Sequence, residues 1–272
     1  MTKVWYFFSN SWSCLIYSVI AFIYAILPEE SFMYGFIQCT WPDWIIISVN
    51  RIIVFIVLLI IANLIDFFCR KFRKKVCIKS KNYSIIIEYG DILQVKSGKK
   101  VINFDECFTT KIGDRPEDIK ADSICGQYLT KYPIDSLHHL IESAGAEPSG
   151  KSQFNNKDIF KPGTIIPRGD FLLMAFAKLD RYGLGQMTYE QYIECLNNLW
   201  VQIDRYHGTD DVYIPVLGSH ITRFDRELTQ QELLDIMISS YRLSTRKLKL
   251  PNRLFIVCKA REGFSLNDIF GV

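Results

Sequence analysis

Two long apolar stretches dominate the start of the chain, and short apolar runs separated by polar turns fill the rest. Residues 4–27 and 44–68 are 24 and 25 residues long. As helices each would reach about 36 Å, enough for a hydrocarbon core of about 30 Å. Both are therefore expected to be transmembrane helices, at about 4–27 and 44–68. A cleaved secretory signal is the competing account of the first, but its apolar run is too long and no small-residue cleavage site follows.

From Val76 onward the pattern changes. "VCIK", "YSIIIEYG", "KKVINF", "GTIIPR", "FLLMAFAKL", "DVYIPVLG" and "NRLFIVC" predict strands, each short, apolar and bounded by turn residues. Between them, Thr188 to Tyr206 sets Tyr192, Ile193, Leu196, Leu199, Trp200, Ile203 and Tyr206 on one helical face. Thr188 with Gln191, and Thr229 with Glu232, have the spacing of capping boxes. A third helix, Ile134 to Ser143, is expected to stop at Gly145. Strands alternating with helices predict an α/β sandwich, a mixed sheet with helices on both faces. Ligands in such sheets bind beyond the carboxyl ends of strands. Three strand-end loops, "EYGDIL" (88–93), "VINFDECFTT" (101–110) and "PVLGSHITRF" (215–224), are candidates to converge on one crevice.

Charge assigns a side to the apolar segments. Residues 70–81 carry seven Lys or Arg and no acid, whereas 28–43 carry Glu29, Glu30 and Asp43 and no base. The positive-inside rule places both termini in the cytoplasm. The expected organisation is a membrane hairpin over 1–69, a basic juxtamembrane linker over 70–81 suited to anionic lipid, and a cytoplasmic domain over 82–272. Of the 32 basic and 29 acidic residues, nine and four fall in 1–81, leaving 23 and 25 for the remainder. A slightly acidic domain is a poor nucleic-acid binder. The eight cysteines form no CxxC pair and the four histidines no HExxH, so no disulfide or metal site is expected. Within the membrane, Asn10 and Asn63 are expected near the cytoplasmic boundary, able to bond to each other or to a neighbouring chain. Arg51 and Asp66 are expected to snorkel to the interface.

Taken alone, the "LGSHIT" loop reads either as an ordinary turn or as a phosphate cradle with Gly218 at the closest approach. Asp91 reads as a turn or N-cap residue. At "YGDILQ", "VINFDECF", "SICGQYL", "FLLMAFAKLD" and "IPVLGSHITRF", residues 82–258 resemble a macro domain, the ADP-ribose-binding α/β module. Coupled to an amino-terminal membrane hairpin, the chain is similar to the transmembrane–macro effectors of type II Thoeris anti-phage defence. The resemblance implies a three-layer α/β sandwich and gives Asp91, with Ile92, the exocyclic amine of adenine. It puts Asn103, beside Phe104, near the distal ribose. Leu217, Gly218, Ser219, His220, Ile221 and Thr222, with Phe224, fall on the pyrophosphate loop, and Ser123, Ile124, Cys125 and Gly126 on a first phosphate loop.

One departure matters. Hydrolytic macro domains usually carry Asn-Ala-Ala-Asn and a glycine-rich loop, and here "INFDECFTT" has no glycine. Ligand binding is therefore expected, with no catalytic residue, no cofactor and no metal. Asp105, Glu106 and Phe108 stand where the missing loop would be, either reading an amine- or imidazole-bearing group or lying in solvent. The resemblance further implies a TIR-domain partner that makes a histidine-linked ADP-ribose messenger, a homo-oligomeric effector in the bacterial inner membrane, and membrane damage that ends infection. The alternatives are a membrane-tethered ADP-ribosyl hydrolase and a plain interaction module.

Overall fold

The computed structural model describes residues 11–33, 41–115, 117–219 and 222–269. The chain forms two compact units, Met1–Arg73 and Lys74–Val272.

In the first unit, α1 (Ser11–Ile26) and α2 (Asp43–Lys71) are joined by a segment containing a 3₁₀ turn at Glu29–Phe32. The 29-residue α2 is long and apolar enough to cross a membrane. The 16 residues of α1 span only about 24 Å, short of the expected 4–27 helix, whose residues 4–10 lie outside those described. Asn63 donates from Nδ2 to the Leu59 carbonyl at 2.7 Å and accepts from the Tyr17 hydroxyl at 3.1 Å. Its expected partner Asn10 is also outside the described residues. Asp66 pairs with Arg70 at 2.8 Å. The Arg51 guanidinium lies 5.3 Å from the Phe32 ring and 6.0 Å from that of Tyr24, so aromatic faces hold a charge expected to snorkel.

Strands β1 (Lys75–Lys79), β2 (Ser84–Tyr89), β3 (Lys99–Asp105), β4 (Gly150–Lys151), β5 (Asp158–Ile159), β6 (Ile165–Arg168), β7 (Phe171–Leu179), β8 (Gly185–Met187), β9 (Val212–Pro215), β10 (Arg223–Phe224) and β11 (Leu254–Cys258) belong to the second unit. So do helices α3 (Ile124–Lys131), α4 (Leu137–Ala144), α5 (Tyr189–Tyr206) and α6 (Gln230–Leu243). Since α2 runs to Lys71 and β1 begins at Lys75, most of the expected 70–81 linker has regular structure.

The main sheet runs β1-β2-β11-β9-β3-β7-β8-β10, with β6 also on β7. From β2 to β7 every neighbour is parallel, while β1, β6 and β8 pair antiparallel. The sheet is thus mixed, as predicted, and β2, β11, β9, β3 and β7 all end at one edge. Adjacent residues explain why these strands read as unbroken apolar runs. Val101, Leu172 and Met174 face one core with α5 and α6, while Ile102, Leu173 and Ala175 face a second with α3. Both capping boxes form, Thr188 with Gln191 and Thr229 with Glu232. The Trp200 indole joins α5 to α6 by donating to Ser240 Oγ at 2.9 Å.

Candidate functional site

Beyond the shared strand edge lie two adjoining cavities of about 170 and 130 Å³. Ile124, Pro215, Val257 and Lys259 line both, so together they form one groove.

The smaller cavity is bounded by Gly90, Asp91 and Ile92, which follow β2. Asp91 caps the 3₁₀ turn Ile92–Gln94, accepting from Leu93 N at 3.0 Å and from Gln94 Nε2 at 3.1 Å. The N-cap role is real and does not use up the carboxylate, which has about four lone-pair sites. Ile92 beneath it is buried.

The larger cavity takes Asn103, Phe104 and Asp105 from the end of β3, and Ser123, Ile124 and Cys125 from the start of α3. Ser123 is the N-cap of α3, accepting from Gly126 N at 3.0 Å and donating to the Lys120 carbonyl at 2.6 Å. Gly126 is required by packing, because a Cβ there would come within 2.2 Å of the Lys120 carbonyl oxygen. The predicted first phosphate loop is therefore a helix start. Its leading N–H groups carry the positive end of the helix dipole, which suits an anion.

The loop after β9 is pinned from three sides. The Tyr192 hydroxyl donates to the Leu217 carbonyl at 3.2 Å, Ser219 Oγ to Val216 O at 3.0 Å, and Arg261 to Ser219 O. Gly218 has φ +79°, and a Cβ on it would strike the Phe224 ring at 2.7 Å. Its left-handed backbone and the close aromatic both demand glycine. Gly218, Ser219 and Thr222 line the groove. Leu217 is buried in the core, and Phe224 stacks edge-on against Tyr192 at 5.5 Å as a support. His220 and Ile221 lie outside the described residues.

The segment after β3 differs most from expectation. Asp105 lines the groove, yet its Oδ1 accepts from Cys107 N at 2.9 Å and Thr109 N at 3.1 Å. Burial raises its carboxyl above the ordinary range despite those hydrogen bonds. Glu106 turns away into a separate cavity, accepting from Leu179 N at 2.9 Å. Phe108 is fully buried against Phe104 and Phe160. Neither Glu106 nor Phe108 joins the groove, and neither acid is solvated. The turn needs acceptors for buried backbone N–H groups, and the two carboxylates supply them.

Groove residues absent from the sequence reading come from the exit of β11, where Val257, Lys259 and Arg261 follow a strand that was itself legible, and from Glu117, Asp118 and Lys120. Lys120 is committed to the Asp114 and Arg115 carbonyls at 2.8 and 2.7 Å. Lys111 at 3.0 Å holds the Asp118 carboxyl below its ordinary range. The groove thus takes the cations Lys259 and Arg261 from the β11 exit and the carboxylates of Asp105, Glu117 and Asp118 from the end of β3 and the segment after it. Two bases directly after "LFIVC" at a parallel strand's carboxyl end were the available signal.

The chain is similar to Thoeris protein ThsA of Bacillus amyloliquefaciens (strain Y2), 28% identical over 236 residues, covering 80% of this chain and 77% of that protein. Among solved structures, the Oceanobacillus iheyensis macrodomain with ADP matches at 11% identity and TM-score 0.46, covering 69% of this chain and 89% of that one. The macrodomain of Thermus aquaticus DarG matches at 12% identity and TM-score 0.40, covering 64% and 97%. The family described as Thoeris protein ThsA, Macro domain, matches residues 85–259, well over half the chain, and the protein belongs to that family.

Proposed function

We propose that this protein is a membrane-anchored anti-phage effector whose macro domain binds an ADP-ribose-derived messenger, histidine-ADP-ribose made by a TIR-domain protein. The observation that carries the reading is the groove itself. Asp91 bounds the smaller cavity and can accept from an adenine amine, Ile124 at the start of α3 lines both cavities, and the Gly218 loop and Asp105 line the larger one. Adenine, diphosphate and an amine-bearing group on a distal ribose have that order.

Binding without turnover is the reading favoured by the side chains. Burial holds the Cys125 thiol well above its ordinary range, which makes it a poor nucleophile, and two backbone N–H groups on Oδ1 fix the Asp105 carboxyl in the turn after β3. Execution falls to the membrane unit. Two helices cannot enclose a pore, so ligand binding promotes assembly or rearrangement of several copies in the bacterial inner membrane, disrupting it.

Calorimetric titration of the full chain in detergent with ADP-ribose and with histidine-ADP-ribose tests the proposal. The expected result is binding of both, at least tenfold tighter for the histidine derivative, and loss of both in Gly218→Glu. Equal affinities would remove the messenger assignment. Absence of binding to either would overturn the ligand class, and release of ADP-ribose from a modified protein would favour the hydrolase alternative.

A further inference from the structure

At the opposite end of the sheet from the groove, where β3 and β7 begin, the macro domain has a second cavity of about 780 Å³. Its walls include Lys96, Lys100, Lys131 and Arg168, against one carboxylate, Asp170. Three of these charges have ordinary explanations. Lys96 and Lys131 are surface side chains, and Arg168 is spent on the Tyr128 hydroxyl and the Tyr132 and Pro133 carbonyls, at 2.9, 2.9 and 2.6 Å.

Lys100 is different, being 4% exposed. Its ammonium donates to the Gly98 carbonyl at 3.2 Å, stands 3.9 Å from the Asp170 carboxylate and lies 5.2 Å from the centre of the Phe171 ring. An ammonium has three donors, and Asp170, 63% exposed on its side chain, stays in water and compensates it weakly. Withdrawing a charge from solvent with so little return is costly. A cavity lined by that buried cation, with two flexible lysines at its walls and the Tyr132 and Phe171 rings beside them, suits a compact anion carrying more than one charge.

We infer that this basin is an anion site for a phosphate monoester or pyrophosphate group, separate from the groove, in which Lys100 bonds a phosphate oxygen and Lys96 and Lys131 screen the remaining charge. The chemistry is shared by a free phosphate compound and by the headgroup of an anionic lipid. The site is also joined to the groove through the chain. Leu93 and Gln94, which line the basin, belong to the 3₁₀ turn whose N-cap is Asp91.

The test is titration of the full chain in non-ionic detergent with inorganic pyrophosphate and, separately, with dihexanoyl phosphatidic acid, followed by calorimetry. Parent and Gly218→Glu chains are expected to bind pyrophosphate alike, and Lys100→Met to lose at least tenfold in affinity. Should Lys100→Met fold poorly, the exposed double change Lys96→Gln, Lys131→Gln is expected to weaken binding severalfold and to flatten its salt dependence. At least tenfold preference for the phosphatidic acid identifies a lipid headgroup, and equal affinities identify a free phosphate compound. The inference is overturned if neither probe binds, if Lys100→Met binds like the parent, or if only Gly218→Glu loses binding, which would place the phosphate in the groove. Because the Gly218→Glu arm keeps this binding even if the groove takes no ADP-ribose, the two proposals fail separately.

Discussion

Asp105 shows how a single residue can look like a ligand contact and act first as architecture. Its carboxylate holds the Cys107 and Thr109 backbone N–H groups in the turn that follows β3, and burial raises its pKa as the largest cause. The folded chain therefore holds this proton more tightly than the unfolded chain does. The cost of the buried charge is fully present above the folded pKa and is relieved as pH falls through it. Asp105→Asn keeps the Oδ1 acceptor and removes the charge, so stability at pH 8 is expected to be unchanged or to rise by up to about 2 kcal/mol. The gain should shrink as pH is lowered towards 5. Asp105→Ala strands both N–H groups and is expected to cost about 2 kcal/mol. Urea unfolding of residues 74–272 at the two pH values distinguishes these outcomes, and a destabilised Asn variant would mean that the charge itself holds the turn.

Among the elements, those governed by local rules were legible and those governed by distant partners were not. Helices α5 and α6 were readable from the capping boxes and an apolar face repeating at helical spacing. The unbroken apolar runs of β2, β3, β7 and β11 were equally plain. By contrast β8 and β10 are three and two residues long, and exist because Gln186 and Met187 meet Arg223 and Phe224 across the sheet. Helix α3 escaped notice because its eight residues include Gly126, a poor helix former kept for its close approach to the 120–121 backbone. Glycine rules likewise made Gly218 legible, while of the two readings open for Asp105 and Glu106 the solvated one is excluded by their burial. The contrast between α3 and α5 can be measured. Thr188→Ala removes one cap and is expected to cost about 1 kcal/mol without altering ligand affinity. Gly126→Ala must displace α3 or the backbone facing it, and is expected to cost 2 kcal/mol or more, as overpacking does, and to weaken ligand binding at least tenfold. If the two variants behaved alike, the α3 N-terminus would not be part of the binding groove.

For the whole molecule, the distribution of apolar surface and of thiols turns topology into a labelling experiment. In α2, Ile52, Ile56, Ile60 and Leu64 are half or more exposed, a surface that lipid covers at no cost and water does not. The macro domain buries most of its apolar residues in two cores, so residues 74–272 are expected to be soluble while the full chain stays with the membrane after carbonate washing. Within that domain Cys107, Cys125, Cys195 and Cys258 are buried, with Cys107 pushed up to about 11 and Cys258 to about 12, whereas Cys77 is exposed. At pH 8 a maleimide should therefore modify Cys77 and spare the other four until the domain is unfolded. By the positive-inside rule the basic residues 70–81 are expected in the cytoplasm together with Cys77, and Cys39, in the intervening segment, is expected outside. A membrane-impermeant maleimide applied to intact spheroplasts is thus expected to modify Cys39 alone, with Cys77 following only after permeabilisation. Labelling of Cys77 in intact spheroplasts would invert the topology and place the groove where a cytoplasmic messenger never meets it. Failure to label Cys39 in a Cys77→Ser chain, with no other thiol reacting, would leave α2 without a segment on the far side and turn the hairpin into a peripheral anchor.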